Sequence, residues 1–236
     1  MSKNKLISII IPAHNEESYL KSTINSLLNQ TYQNFEVIIV LNSCTDKSLD
    51  IVNNIKKNNS KKDLITHNIR IANVSLARNV GVDLAKGEIL IFLDADTTLE
   101  KNSLEIIQKQ FTSQISVAST KVKPDSKNLS LLLLMKFKNF YHTYNLYHGS
   151  SGIIICHKNQ FDKIGGFKED LIVKENRDLI KKLTKIGKYK CINCYATTSM
   201  RRFNKWGLLK SSFFWIKQLN NERKGQLHKS SYDKIR

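Results

Sequence analysis

The sequence predicts an α/β fold, a single domain with a mostly parallel central sheet flanked by helices and followed by a basic, helical C-terminal extension. Three observations predict it. Short apolar runs alternate with segments whose apolar residues recur every three to four positions, the pattern of strands joined by crossover helices. One run, Ile89-Leu-Ile-Phe-Leu93, is apolar at five consecutive positions, as a strand covered on both faces requires. The 236 residues hold only two prolines, no internal repeat and no low-complexity linker, so one core is the economical arrangement.

Taken in order, Leu6–Ile11 and Phe35–Leu41 read as buried strands, and Leu20, Ile24, Leu27 and Leu28 mark a helix between them. Leu49, Val52 and Ile55 give the next helix, Leu64–Thr66 a short strand, and Leu76, Val80 and Leu84 a third helix before Ile89–Leu93. Such alternation implies right-handed crossovers, and this half has the look of a nucleotide-binding unit. Beyond it, Leu104, Ile107 and Phe111 continue a helical stripe, and Ile115–Val122 forms a strand closed by Pro124. Residues 129–148 put Leu133, Phe137, Tyr141, Tyr144 and His148 on one helical face, expected to be buried or membrane-facing. Gly149-Ser-Ser-Gly152 breaks the chain before the strand Ile153–Cys156; helices are then expected from about Glu175 to Ile186 and over Phe203–Asn221.

Lys and Arg number 38 against 20 Asp and Glu, a net charge of +18 that favours an anionic partner such as nucleic acid, anionic lipid or a phosphorylated substrate. Ten of those cations against Glu222 and Asp233 fall between Met200 and Arg236, so about +8 lies in the extension. The remaining lysines, Lys56, Lys57, Lys61 and Lys62 among them, read as general surface decoration. The longest apolar run, Leu131–Met135, is far shorter than the roughly 20 residues of a spanning helix. No h-region follows Met1-Ser-Lys-Asn-Lys5, and a cytoplasmic location is the expectation. Cys44, Cys156, Cys191 and Cys194 fit reduced core cysteines; Cys191-Ile-Asn-Cys194 lacks the second ligand pair of a zinc site. The six histidines show no ligand spacing.

Chemistry concentrates where Ile89–Leu93 ends in Asp94-Ala95-Asp96. In extended backbone, residues two apart point to one side, so both carboxylates face one spot at the strand's carboxyl end, where open α/β sheets bind ligands. Hard oxygen donors there suit Mg²⁺ or Mn²⁺ carrying a diphosphate. A strand-end turn with two solvated aspartates is the plainer alternative.

Seven segments then fall in a recognisable order: Ile9-Ile-Ile-Pro12-Ala13-His-Asn15-Glu16-Glu, Ser26-Leu-Leu-Asn-Gln-Thr-Tyr32, Asn42-Ser-Cys-Thr-Asp46, Ala77-Arg78-Asn79-Val-Gly81, Lys86-Gly87-Glu88, Asp94-Ala95-Asp96 and Gly165-Gly166-Phe167. Across roughly Leu6 to Gly187 the chain resembles glycosyltransferase family 2. The resemblance implies a GT-A fold, a nucleoside diphosphate sugar as donor, a divalent metal and usually inversion. It divides the domain, 1–199, into a nucleotide-binding half to about 98 and an acceptor half from 99, with the extension over 200–236. By the same match, Pro12, Ala13, Asn15 and Glu16 lie beside the nucleotide, and Asp46 or Asn42 holds the base. Asp46 also suits a helix N-cap. Arg78 and Asn79 would sit near the diphosphate or sugar, Ala95 between the carboxylates, Asp96 on the metal and Asp94 close to the ribose or the metal.

The match departs at the catalytic base. The family commonly carries Glu-Asp after Gly-Gly-Phe, whereas this chain reads Val173-Lys-Glu175-Asn176-Arg-Asp178, and Asn176 cannot take a proton. Glu175 is the expected base and Asp178 the second candidate; an acceptor phosphate, with its second pKa near 6, needs none. Acidic residues in a first helical turn also simply offset its dipole. Thr197-Thr-Ser-Met-Arg201-Arg202 is similar to a Thr-Ser-x-Arg-Arg stretch in one branch of these enzymes, implying that Arg201, Arg202 and Gly152 serve a diphosphate or the acceptor. Both arginines equally fit the general basic tail.

The reading is therefore a sugar transferase with a lipid-linked (polyprenyl phosphate) or glycan acceptor and peripheral contact with anionic membrane. A nucleotidyltransferase would show a Gly-rich phosphate loop near the amino terminus, which is missing. A nucleic-acid module would flank exposed aromatics with Arg, whereas residues 129–148 mix aromatics with leucines. A catalytically inactive relative has only Asn176 in its favour.

Overall fold

The structure is a computed structural model and describes residues 4–59, 63–146, 148–150 and 152–224. The chain runs β1 (Ile7–Ala13), α1 (Leu20–Leu28), β2 (Phe35–Asn42), α2 (Ser48–Asn58), β3 (Leu64–Ile69), α3 (Val74–Asp83) and β4 (Ile89–Leu93). It continues through β5 (Thr97–Leu99), α4 (Ser103–Gln110), β6 (Ile115–Pro124), α5 (Leu129–Thr143), β7 (Ile153–His157), α6 (Lys158–Lys163), α7 (Glu175–Thr184), β8 (Lys188–Thr198) and α8 (Arg201–Arg223). The sheet order is β3-β2-β1-β4-β7-β6-β8-β5. β3, β2, β1 and β4 are mutually parallel, as are β6 and β8, while β7 runs against both β4 and β6, and β5 against β8. The strand order reverses at β1, next to β4, and that is the switch point where such sheets open a crevice.

Every residue of β1, β2 and β4 is buried, because helices cover both faces. Alternate side chains then serve different layers. Ile7, Ile9 and Ile11 pack with Leu20, Ile24 and Leu27 of α1 and Val52 of α2, while Ile10, Ile38, Leu90 and Phe92 pack with Ala77 of α3, Phe161 of α6 and Leu179 of α7. Each fully buried aliphatic contributes about 1.5–3 kcal/mol relative to exposure, so the middle strands anchor the fold. The turn into β4 is fixed by polar contacts instead. Buried Glu36 accepts from Ser8 Oγ at 2.6 Å and Lys86 N at 2.7 Å, and Gly87 N donates to Ser8 Oγ at 2.8 Å. A Cβ at Gly87 would stand 2.7 Å from Ser8 N and 2.8 Å from Leu6 O, so only glycine lets this turn lie against β1.

Of the two alternatives for the aromatic face of 129–148, buried or membrane-facing, the structure leaves the outward one. In α5 the buried residues are Leu131, Met135 and His142, while Leu133, Phe137 and Tyr144 are exposed. The sheet receives α5 through the stripe one step round from the aromatic one, so the aromatic face looks outward. Three elements were also unforeseen: β5, α6 and β8. β5 pairs Thr97 with Thr198 on β8, and this lays the β8–α8 junction beside the Asp94–Asp96 turn. Residues 225–236 of the expected extension, His228 included, lie outside the described residues.

Candidate active site

At the carboxyl end of β4 the turn is held through its backbone. Asp94 N donates to Gly152 O at 2.8 Å, Thr23 Oγ1 to Ala95 O at 2.7 Å and Ser199 N to Asp96 O at 3.2 Å. Those anchors come from three separate parts of the chain, so the turn cannot shift without disturbing all of them. The side chains meet cations. Arg78 Nη2 donates to Asp94 Oδ1 at 2.9 Å, and Arg201 Nη2 lies 2.9 Å from Asp96 Oδ2.

Each arginine also grips a second carboxylate. Buried Arg78, on α3, donates through Nη1 to Glu175 Oε1 at 2.9 Å, tying β4 to the first turn of α7. Arg201, opening α8, forks onto Glu16 at 2.7 and 2.8 Å and lies 4.8 Å from the centre of the Tyr19 ring. Burial opposes the charge of both guanidinium groups, but their carboxylate partners outweigh it and raise both pKa values. Two carboxylate–arginine–carboxylate bridges thus stand side by side. Four carboxylates against two guanidinium groups leave two negative charges in excess. Half-buried Lys138 of α5 offsets part of this: burial pulls its ammonium down to about 8, Asp94 opposes that and Arg202 reinforces it.

The two candidate bases differ in their surroundings. Glu175 is 6% exposed, and its Oε2 is buried without a hydrogen-bond partner. Asp178 lies 3.0 Å from Lys182 one turn on and 3.9 Å from Lys168. Asn176 likewise carries a buried Oδ1 without a partner.

The residues expected around the nucleotide frame the loops. Pro12 and Ala13 close β1 opposite Val40 and Leu41. Asn15, at φ 52°, accepts from Thr45 N at 2.8 Å, and Glu16 N donates to Ser48 Oγ at 2.9 Å. Asp46 accepts from Glu17 N at 2.9 Å and Ser48 N at 3.0 Å, and although burial works against ionisation these bonds lower its pKa. Asn42 Oδ1 accepts from Asn73 N at 2.9 Å, and Asn79 fixes the Gly-Gly-Phe loop through Phe167 O and Phe167 N at 3.0 and 3.1 Å. Arg202 stands apart from Asp96's partner Arg201, with its guanidinium 5.4 Å from the Trp206 ring centre and 5.7 Å from that of Trp215.

Comparison with known proteins places this arrangement. The family described as Glycosyl transferase family 2 matches residues 8–205. The chain belongs to glycosyltransferase family 2. It is 28% identical over 233 residues to a hyaluronan synthase of Pasteurella multocida, covering 93% of this chain and 23% of that protein. With an uncharacterized glycosyltransferase of Haemophilus influenzae it shares 41% over 100 residues, 42% of this chain and 40% of the relative. The chain therefore spans less than half the length of these relatives. Among solved structures it resembles the Pyrobaculum calidifontis mannosyltransferase PcManGT in complex with GDP-Man and Mn²⁺, at TM-score 0.69 and 17% identity over 80% of this chain and 56% of that one. S. aureus TarS in complex with UDP gives 0.63 and 22% over 84% and 62%. These likenesses show the GT-A fold.

In this family 2 member the sequence pointed to Asp94, Asp96, Arg78, Glu175, Glu16 and Arg201, and the structure brings all six into the paired bridges. Lys138 was missed. Its sequence signal was spacing alone, since it follows buried Leu131 and Met135 by seven and three positions.

Proposed function

We propose that this chain transfers a sugar from a nucleoside diphosphate sugar to a lipid-linked or glycan acceptor, with inversion. The paired bridges at the switch point carry this reading: Arg201 to meet a diphosphate oxygen and Arg78 to hold Asp94 and Glu175, within a set of carboxylates whose excess charge calls for a cation. Asp94 and Asp96 offer hard oxygen donors, and among the described residues no group of three or more His, Cys, Asp or Glu could hold a metal by itself. That donor set fits Mg²⁺ or Mn²⁺ whose shell substrate phosphates complete. When bound, the cation would neutralise the departing diphosphate.

Arg201 is positioned to exchange its contact with Asp96 for a diphosphate oxygen while keeping its fork on Glu16. Arg78 orients Glu175 through Oε1, which leaves Oε2 to accept the proton of an acceptor hydroxyl as it attacks the anomeric carbon. Asp178 is engaged on the surface of α7 and is the weaker base. The Pro12–Glu16 and Asn42–Asp46 loops form the nucleotide platform.

A related family member, E. coli WfaP, is named for transfer from UDP-Glc to α-D-GlcNAc-diphosphoundecaprenol. In line with such an acceptor, Phe137 and Phe140 of α5, Tyr144 just after it, and Leu209, Phe213 and Ile216 of α8 are exposed. Among the described residues no helix is long and apolar enough to cross a membrane. Both helices are read as docking on the cytoplasmic face of an anionic bilayer, where each nearby Lys or Arg contributes on the order of 1 kcal/mol.

A thermal-shift panel of UDP, GDP, CDP and dTDP sugars, with and without Mn²⁺, tests the reading. Stabilisation by one nucleotide class, dependent on Mn²⁺ and lost in Asp96→Asn, is expected. Equal response to all of them, or none, contradicts it.

A further inference from the structure

Away from the paired bridges, one carboxylate of α8 is surrounded by cations. Glu222 accepts from Lys174 Nζ at 3.0 Å, from Arg177 Nε at 3.0 Å through both oxygens, and from Lys181 Nζ. Lys174 caps α7, and Arg177 and Lys181 follow on one stripe of that helix. Lys174 opens that helix in the left-handed region, φ 64°, with its side chain 2% exposed. A buried lysine is costly without compensation. Among the described residues three cations gather on this one carboxylate, a charge pattern that suits a dianion better than Glu222.

The element that brings Glu222 here is kinked and contributes little to the apolar core. Gly207, at φ 77° and ψ 164°, interrupts α8. Beyond it the buried residues are Ser211 and Gln218, both polar, while Leu209 is 88% exposed and Phe213 69%. No apolar residue described between Leu208 and Glu222 belongs to the buried core. Half-buried Phe214 and Trp215 pack on Trp206 and Arg202 near the kink, and at the far end the ion pairs of Glu222 tie the distal half to α7. Its first half carries Arg201 on Glu16 and Asp96, so α8 straps from the donor carboxylates to the helix of Glu175.

We propose that Lys174, Arg177 and Lys181 form a binding site for a phosphate monoester dianion, that Glu222 fills this site as an internal surrogate, and that a phosphorylated ligand displaces it by swinging α8 about Gly207. The ligand chemistry is three acceptor oxygens carrying about two negative charges, which a fork and two ammonium groups match better than a carboxylate does. Lys174 agrees: burial lowers its pKa, and Glu222 only partly restores it. Since Glu175 immediately follows Lys174, the bound phosphate would belong to the acceptor. That last assignment rests on the transferase reading; the anion site does not.

Inorganic phosphate binding by calorimetry tests the site without donor or turnover. Glu222→Gln should bind phosphate at least about tenfold more tightly than the unchanged protein, and adding Arg177→Met and Lys181→Met should abolish the gain. A second arm, co-sedimentation of Glu222→Gln with phosphatidylcholine vesicles with and without phosphatidic acid, distinguishes a lipid phosphate from a soluble one. Circular dichroism verifies folding, and the more exposed Lys181→Gln alone should halve the gain or more. A Glu222→Gln protein that gains no phosphate affinity in either arm, or keeps its gain without Arg177 and Lys181, overturns the proposal. Nucleotide-sugar binding measured on the same samples reports separately on the transferase reading.

Discussion

Replacing Arg78 by Met keeps a long apolar stem in place but removes the guanidinium from Asp94 and Glu175. The consequences for the two carboxylates differ. The Asp94 side chain is 39% exposed and water can take over, whereas that of Glu175 is 6% exposed and loses the donor on its Oε1. Breaking a buried pair from one side costs about 3–5 kcal/mol, since the stranded charge keeps its desolvation penalty. At about 2–4 °C per kcal/mol for a domain of this size, the midpoint should fall by about 6–20 °C. Thermal unfolding followed by circular dichroism at pH 7 measures this. Combining Arg78→Met with Glu175→Gln should recover about 1–3 kcal/mol, because no charge is then left unpaired. A loss below about 1 kcal/mol for Arg78→Met, or strict additivity in the double variant, would refute the coupling between β4, α3 and α7.

Glu175→Gln should lower turnover about 10²–10⁴-fold with donor affinity unchanged; steady-state release of nucleoside diphosphate measures it, and full activity there would favour an acceptor that arrives ionised. Gly87→Ala should cost more than about 2 kcal/mol, since its Cβ would meet Ser8 N and Leu6 O, backbone atoms that cannot rotate away; urea denaturation decides. Acid should loosen α8. Burial would raise the Glu222 carboxyl, but hydrogen bonds from Lys181, Arg177 and Lys174 outweigh it and lower the pKa from 4.5 to about 2. A depressed carboxylate contributes stability that is present above its unfolded pKa and lost as pH falls through the folded one. That contribution should therefore disappear between about pH 4.5 and 2. Proteolysis within α8 across that window should rise in the unchanged protein and vary little in Glu222→Gln.

The sheet's first half was legible because its signals are local. Ile89–Leu93 could only be a strand covered on both faces, and the stripe Leu20, Ile24 and Leu27 fixed α1. The second half was less so. β8 does alternate, with Ile192, Cys194 and Ala196 turned inward, but the intervening Lys, Asn and Tyr residues and the Cys-x-x-Cys spacing obscured the period of two. β5 is three residues long, too short to show periodicity. Its absence from the reading mattered, since β5–β8 pairing is what carries Arg201 to Asp96. Motif order found the site residues but not their partners. Nothing local tells that Arg201 would fork onto Glu16, 185 positions away, or that Asn42, Asp46 and Asn79 would bind backbone groups of neighbouring loops. Whether the α5 aromatics face the core or outward stayed open for the same reason: a helix with apolar residues on several sides does not declare which stripe the sheet will accept.

The most direct test of the paired bridges as a donor site is a crystal structure with Mn²⁺ and whichever nucleotide stabilises the protein, collected to show anomalous scattering from manganese. A manganese peak shared between the Asp94–Asp96 turn and the diphosphate is expected, with Arg201 moved from Asp96 onto a phosphate oxygen and Arg78 still bridging Asp94 and Glu175. A nucleotide bound with its phosphates remote from Asp94, Asp96 and Arg201 would contradict it.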